Sequence, residues 1–511
     1  MRTLPLIRVS SRFFILLATL FIVASACVSY SQTFNRPVPN TLPQYEFQRY
    51  DMTDLGSYYL FAPYPQGSSN SPKSMMVLDQ DGYIVWWTAG DKKIFDFKYH
   101  QAQNVFSFTR KRGAITYHYI MDSAFTLIDS LYAPIGSGDI HELQIFPNGN
   151  YCFLGLSDTL MDLSSYTING SPGSSTTNLL SMRIWELDPN HNVVMQWNSI
   201  DHIPPDVFQD SYNYIPSSFD YVHGNAVELD TDGNLLISIR TANAVYKIDR
   251  ITGEVIWRLG GSYNEFTFLN DNGFAGQHDI RRLPNGNITI FDNQFGTPQG
   301  SRVVEYELNL TNSTVSMVNE YAYNWPLNCY ALGSYRQLEN GYEIIGWGNT
   351  RRPEPSVTLI DSNKDIAADI FFADTIVTYR AFFQEFELSM NQPEISCSDD
   401  GVTLSLSAPP GHNFYLWSTG ETSEIINIAD TGVYVVWVDQ GIGMLGSAPY
   451  HITDIETHCS QVGIDEQQIP NSVKSLGYYD LLGRKLIHIP TGEIYLENFS
   501  NGKSIKRIRW E

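Results

Sequence analysis

An all-β fold, most of it built from a repeated unit of four strands, is what the sequence predicts, and three observations carry that reading. Aromatic residues make up 13% of the 511 residues, with 31 Tyr among them, and such side chains favour pleated, half-buried surfaces. Helical periodicity is nearly absent throughout. One pattern of paired strands around a tight turn also recurs along the body of the chain. At this length a large body with appendages is expected, and a hydrophobic content of 43% is ample for its core.

Each copy of the pattern opens on a polar starter, runs through an alternating strand to an Asn-Gly or Asp-Gly turn, and returns as a second strand. The copies are HELQIFPNGNYCFLG from His141, HGNAVELDTDGNLLISIR from His223, HDIRRLPNGNITIFDN from His278 and GSYRQLENGYEIIGWG from Gly333. Asn-Gly and Asp-Gly supply the positive φ of a two-residue hairpin. A second strand pair follows each hairpin, most clearly AVYKIDRITGEVIWRLGG at 244–261, with RIWELDPNHNVVMQW at 183–197 one unit earlier. Four strands per unit, spaced 55 residues apart from 223 to 278 and again from 278 to 333, match the blades of a β-propeller. The longer step from 141 to 223 reflects polar insertions around Ser171–Asn178 and Asp206–Ser218. Residues 58–135 hold two less regular units, so roughly six blades are expected over 40–390. The stretch FFQEFEL, 382–388, is a candidate for closing the ring against the first of them.

The two ends read differently. Arg2, Arg8 and Arg12 precede an apolar run from Phe13 to Ala26, too short for a comfortable membrane span, and 1–31 reads as an export signal cleaved near 26 or 31. Ala26-Cys27 also admits a lipid anchor, although Ala24 stands where such sites usually carry Leu. No other run reaches the roughly 20 apolar residues of a spanning helix. After about Met390 the repeat is lost, and 391–460 carries short alternating strands with a Trp, as in a small immunoglobulin-like sandwich; a seventh blade is the alternative. Cys397 and Cys459 bracket this segment as a candidate disulfide in an oxidising compartment. Cys152 with Cys329 has no support from spacing. Gln461–Ser472 reads as a linker, leaving 461–511 as a tail with its own strands.

Charge narrows the partners. With 32 Lys and Arg against 55 Asp and Glu, the net charge of −23 argues against nucleic acid, which needs a basic footprint. An anionic substrate would have to be held by local positive charge. No CxxC or Cys/His cluster suggests a metal. Asp230, Asp232 and Asn234 resemble a calcium loop but are too few and fit a hairpin turn. Trp257 in GEVIWRLGG resembles a quinone-propeller motif without its regular recurrence, so blade packing is the expected role. The three repeat histidines His141, His223 and His278 sit at strand starts, where propellers usually bind ligands. A single histidine there is commonly a structural hydrogen bonder; three in equivalent positions make a shared channel site an even alternative.

The segment His223-Gly224-Asn225-Ala226, followed by LISIR ending at Arg240 and then IDRITGEVIWRLGG, resembles the signature of the bacterial aryl-sulfate sulfotransferases. Gly276-Gln277-His278-Asp279, Phe291-Asp292-Asn293 and the strand from Ser301 to Tyr306 continue the resemblance, which is strongest over 220–350. It implies transfer of a sulfuryl group from a phenolic sulfate to a phenol through a sulfated histidine, without a cofactor, and it places His223 and His278 on the family's two non-nucleophilic histidines. Imidazole is nucleophilic near neutral pH and can split one hard transfer into two easier ones. Charge on the transferring oxygens calls for fixed donors, and the leaving phenol for an acid. The sequence departs from the family in two places. No His occurs between 279 and 411, and Gly333, with Tyr330 and Tyr335 nearby, stands where the nucleophile belongs. The expected anion-binding arginine is also missing after Asn293, leaving Arg240 or Arg302 to substitute and His141 as the candidate nucleophile. Asn225 and Tyr335 complete the candidate substrate contacts. The rival function is a non-catalytic ligand-binding or adhesive surface propeller.

The tail is similar to the sorting domains of the type IX secretion system, on Gly483-Arg484, Gly502-Lys503, Lys506, Arg507 and Arg509. That resemblance implies the secretion machinery as a partner, and passage through the periplasm to the cell surface or medium.

Overall fold

The computed structural model describes residues 36–67, 73–210, 214–373, 375–400 and 402–453, with three strands beyond them, Ser475–Tyr479, Ile494–Phe499 and Ser504–Ile508. The expected export signal and Cys27, the linker 461–472, Cys459, Gly483-Arg484, Gly502-Lys503 and Arg509 lie outside the described residues. Among the described residues the chain is all-β and propeller-like, with helix limited to short 3-10 turns such as Ser199–Asp201. No helix there is long and apolar enough to cross a membrane.

Each recurring hairpin forms where its turn predicts it. His278–Arg282 pairs with Ile288–Asp292, and Gly224–Leu229 pairs with Leu235–Ile239. Two further antiparallel strands extend each of these outward into a sheet. Six first strands lie side by side in the order Ile94–His100, Ser137–Ile145, Gly224–Leu229, His278–Arg282, Ser334–Gln337 and Ile376–Gln384, and the last returns to the first.

Strands distant in sequence complete two of the sheets. Ile376–Gln384 pairs with Tyr58–Pro65, setting Tyr59 opposite Phe383, while Tyr45–Arg49 forms the edge beside Ile366–Phe372. Bringing such distant segments together opposes chain entropy, and burial between the sheets offsets it. Tyr59, Phe61, Phe372 and Phe383 share one core there, with ring centroids of Tyr59 and Phe383 4.4 Å apart. The closing strand starts at Ile376, six residues ahead of the expected 382, and this difference brings Tyr379 and Arg380 into the channel.

The outer-strand tryptophans pack between sheets, as their spacing suggests. Trp197 donates to the Gly253 carbonyl at 2.9 Å, and Trp257 meets Phe266 edge-on. Asp230 binds Lys247 and Arg282 at 2.7 Å each, which a calcium ligand would not do. Beyond 390, Leu406 and Ile426 of a small three-stranded sheet share a core with Trp417 and Val436, whose strands belong to a larger sheet. This segment does not stand apart from the body: Gly443–Gly446 pairs with Ile84–Gly90 and makes one continuous seven-stranded sheet. Trp437 donates to the Ile84 carbonyl at 3.0 Å across the same seam. Cys152 and Cys329 are free, buried thiols, so no bridge joins them. Cys397 is not a free thiol. The three strands of the tail form one antiparallel sheet.

Candidate active site

The first strands are irregular where the polar residues lie. Their ladders shift register between Phe95 and Lys98, between His278 and Arg281, and between Gly224 and Ala226. A bulge of this kind re-aims side chains. Asp96 (φ 50) and Asp279 (φ 58) occupy the left-handed region within two of them.

His141 and His223 are brought together, their ring centroids 4.8 Å apart and nearly perpendicular. Each imidazole is held by its Nδ1 on a carboxylate. The Asp139 carboxylate accepts from both the backbone N–H and Nδ1 of His141, and Asp220 accepts from Nδ1 of His223 at 2.5 Å. Such a bond fixes the tautomer and points Nε2 outward. Neither Nε2 has a hydrogen-bond partner among the described residues. Burial opposes the charge on His223, but Asp220 and then Asp139 outweigh it and raise its pKa above 6.5. The Asp139 carboxyl lies below its ordinary value, because His141 and His223 outweigh its burial.

His278 differs from both. Its Nδ1–H donates to Asn293 Oδ1 at 2.7 Å and to the Gly276 carbonyl at 3.1 Å, while Nε2 accepts from the Leu332 N–H at 3.2 Å. Burial lowers its pKa well below 6.5, helped by Arg240 and the other two histidines, so the ring is neutral. Both nitrogens serve the protein, and His278 fixes the turn that leads to Gly333.

Gly333 leaves no room for the histidine that the resemblance implies there. Its φ is +114, and a Cβ there would lie 2.4 Å from the Phe291 ring. Tyr379, from the closing strand, stands beside the pair instead, 5.5 Å from the His141 ring, with its hydroxyl donating to the Asn225 carbonyl at 3.2 Å.

The other expected contacts divide. Arg240 stacks 4.7 Å over Phe295 and bonds Asp210 at 2.6 Å, close enough to depress both His223 and His278. Arg302 is corrected, because Asp271, Asp292 and Glu320 surround its guanidinium at 3.0 to 3.2 Å. Tyr335 is likewise corrected: its side chain is buried with Phe291, Cys329 and Trp347. Asn225 donates to the Gln277 carbonyl at 2.7 Å, while its buried Oδ1 has no partner. Asp139, Asp220 and Tyr379 escaped the sequence reading. The acids precede their histidines by two and three residues, a local signal that was available; Tyr379 had none.

Deeper along the same strands lies a buried ionic network. Arg380 binds Asp96 at 2.6 Å and Glu142 at 2.9 Å; Lys98 binds the same two carboxylates, and Arg281 binds Glu142 and Asp279 at 2.7 and 2.8 Å. Among the described residues no three His, Cys, Asp or Glu side chains gather as a metal site.

The arylsulfotransferase (ASST) family model matches residues 111–372, half of the chain. The chain belongs to the arylsulfotransferase family. Membership carries a sulfotransferase-like function in general. The matched span contains His141, His223, His278 and Gly333. A comparison with curated proteins finds no match. Similar solved structures include a protein of unknown function from Bacteroides caccae, at 13% identity and TM-score 0.39 over 65% of this chain and 100% of that one. TolB from Acinetobacter baumannii is similar at 11% and 0.38, over 64% and 68%. A catalytically inactive virginiamycin B lyase from Staphylococcus aureus, with quinupristin, is similar at 11% and 0.33, over 71% and 96%. At these identities and TM-scores they carry no inference for this arylsulfotransferase-family chain.

Proposed function

We propose that this protein moves a sulfuryl group from a phenolic sulfate to a phenol through a covalent intermediate on His141. The observation that carries the reading is the pair of carboxylate-held imidazoles, His141 and His223, each with Nε2 unengaged. The Nε2 lone pair of His141 attacks sulfur as the sulfur–phenol oxygen bond breaks. The departing phenolate takes the Nε2 proton of the His223 imidazolium. Asp139 stabilises the positive ring that results on His141. In the second half the acceptor phenol gives its proton to His223 while its oxygen attacks sulfur, and the sulfur–nitrogen bond breaks. Arg240, whose charge acts on both His223 and His278, supplies positive charge to the transferring oxygens, and Tyr379 orders the wall beside His141.

The test is to mix the protein with 4-nitrophenyl sulfate and a phenol acceptor. A burst of nitrophenol, with one sulfuryl group found on the His141 peptide by mass spectrometry, is expected. Sequential kinetics with no modified peptide would remove His141 as the covalent carrier. The glycine at 333 and the saturated His278 favour a second reading, a ligand-binding relic of the family fold. Absence of transfer across a broad panel of donors supports that one.

The rest of the reading extends to the whole chain. The six sheets are blades of one six-bladed propeller over 40–390, the segment 391–460 is immunoglobulin-like, and Cys397 pairs with Cys459. Residues 1–31 direct export, and 461–511 address the protein to type IX secretion and the cell surface. Deleting 461–511 should strand a folded propeller in the periplasm; normal surface delivery of the shortened chain would refute that role.

A further inference from the structure

Two neighbouring sheets border the histidine end of the ring, and their strand ends there are basic. Lys73 opens one strand opposite Gly90. Lys92 and Lys93 lead from Gly90 into Ile94, and Arg110, Lys111 and Arg112 close the strand that pairs with Ile94. Asp91 ties the two sheets' cations into one rim, lying 3.4 Å from Lys92 and 3.1 Å from Arg110. The others are uncompensated: Lys73, Lys93, Lys111 and Arg112 have no acidic partner among the described residues. Lys111 and Arg112 are exposed, and the Lys92 side chain is 59% exposed.

A chain of contacts ties this rim to the reactive pair. The Lys93 ammonium lies over Tyr64, Tyr64 meets Phe95, Phe95 meets Tyr379, and Tyr379 meets His141, at 4.8, 5.2, 6.4 and 5.5 Å in turn. Charges so placed act on one another through solvent, with a Debye length on the order of 10 Å at 0.1 M salt and 30 Å at 0.01 M. In a chain of net charge −23 these cations also run against the field of the molecule. The cations of the ionic network bind carboxylates and so hold strands together. Lys73, Lys93, Lys111 and Arg112 hold none, which leaves their charge for something outside the protein.

We propose that this basic rim collects the anionic donor, drawing sulfate esters toward the histidines against the negative charge of the whole molecule. The inference rests on the reading of His141 and His223 as the transfer site. It applies to the donor alone, because a phenol acceptor with a pKa of about 10 is neutral at pH 7 and feels no such pull. Rim charges act on the encounter rather than on the chemical step, so their effect belongs to the association rate.

The experiment is stopped-flow association of 4-nitrophenyl sulfate with the full chain, followed by protein fluorescence in a His141→Ala background, where no covalent step intervenes. The triple change Lys73→Glu, Lys111→Glu and Arg112→Glu reverses three partnerless charges. It is compared with its parent at about 0.01 M NaCl and at about 1 M, where the Debye length is only about 3 Å. The rest of the molecule's charge acts on both proteins, so the ratio of their rates isolates the rim. Association should be roughly fivefold slower in the triple variant at low salt and equal to the parent's at high salt. The charge-keeping set Lys73→Arg, Lys111→Arg and Arg112→Lys should match the parent at both. Equal rates in all three proteins at low salt would overturn the proposal. A loss that persists at high salt, or that the charge-keeping set shares, would overturn it as well, since neither depends on charge at a distance. So would failure of the donor to associate with the parent. Nitrophenol release by the unaltered protein is read separately. Rim-dependent association without release would keep the rim and remove the histidine chemistry, whereas release with rim-independent association would do the reverse.

Discussion

The two depths of one channel make opposite use of buried polarity. In the middle, Arg380, Arg281, Lys98, Asp96, Glu142 and Asp279 bind one another across four strands, and burial leaves them few alternatives. At the histidine end, His141 and His223 commit one nitrogen each to a carboxylate and keep the other. His278, one strand further round, shows what the saturated state costs in chemistry: with both nitrogens engaged it can only position. Charges paired with one another hold strands together, whereas an imidazole held on one side keeps its other nitrogen for a ligand.

The largest effect should come from breaking the reactive end. His141→Ala should eliminate the sulfated protein and lower transfer on the order of a thousandfold or more, as read from nitrophenol release. Transfer at the wild-type rate would show that the free nitrogen at this depth is not the carrier. Next comes the ion-paired middle. Arg380→Met leaves Asp96 and Glu142 short of a partner at a residue 1% exposed, and should cost about 3–5 kcal/mol in urea unfolding. A loss below about 1 kcal/mol would mean that the network carries little of the stability.

Placing at 333 the histidine that the resemblance implies offers a sharper comparison. Gly333→His forces a Cβ against Phe291 at a φ of +114 and should destabilise by about 1–3 kcal/mol without raising activity. A gain in transfer would instead locate the nucleophile's natural place there. The smallest effect concerns pH. The pKa of His223 is raised, so its imidazolium persists above 6.5 and the acid it supplies is lost as pH rises through the folded value. The alkaline limb of the transfer rate should therefore lie above 6.5, and Asp220→Asn should move it downward. An alkaline limb unmoved by that change would assign the acid to another group.

The Asn-Gly and Asp-Gly turns placed the hairpins correctly, because two residues and the alternation around them decide a hairpin within some fifteen positions. The repeat register likewise puts His141, His223 and His278 at equivalent strand starts. The closing strand was read six residues late, since Ile376-Val377-Thr378 carries no turn signal and is strand only because Tyr58–Pro65 lies beside it. Arg302 and Tyr335 looked available because nothing local in the sequence announces Asp271 or the Phe291 core as their surroundings.

What the sequence determined by itself was the all-β character, the repeating unit and the ring of polar strand starts, all products of short-range pattern. Only the tertiary structure decided which of those starts keeps a usable atom. The partner of His278 Nε2 is the Leu332 backbone, 54 residues away, while Asp220, at the end of the insertion near 206–218, fixes His223. Reactivity is a property of the nitrogen that remains after hydrogen bonding, and that remainder exists only once distant strands have packed.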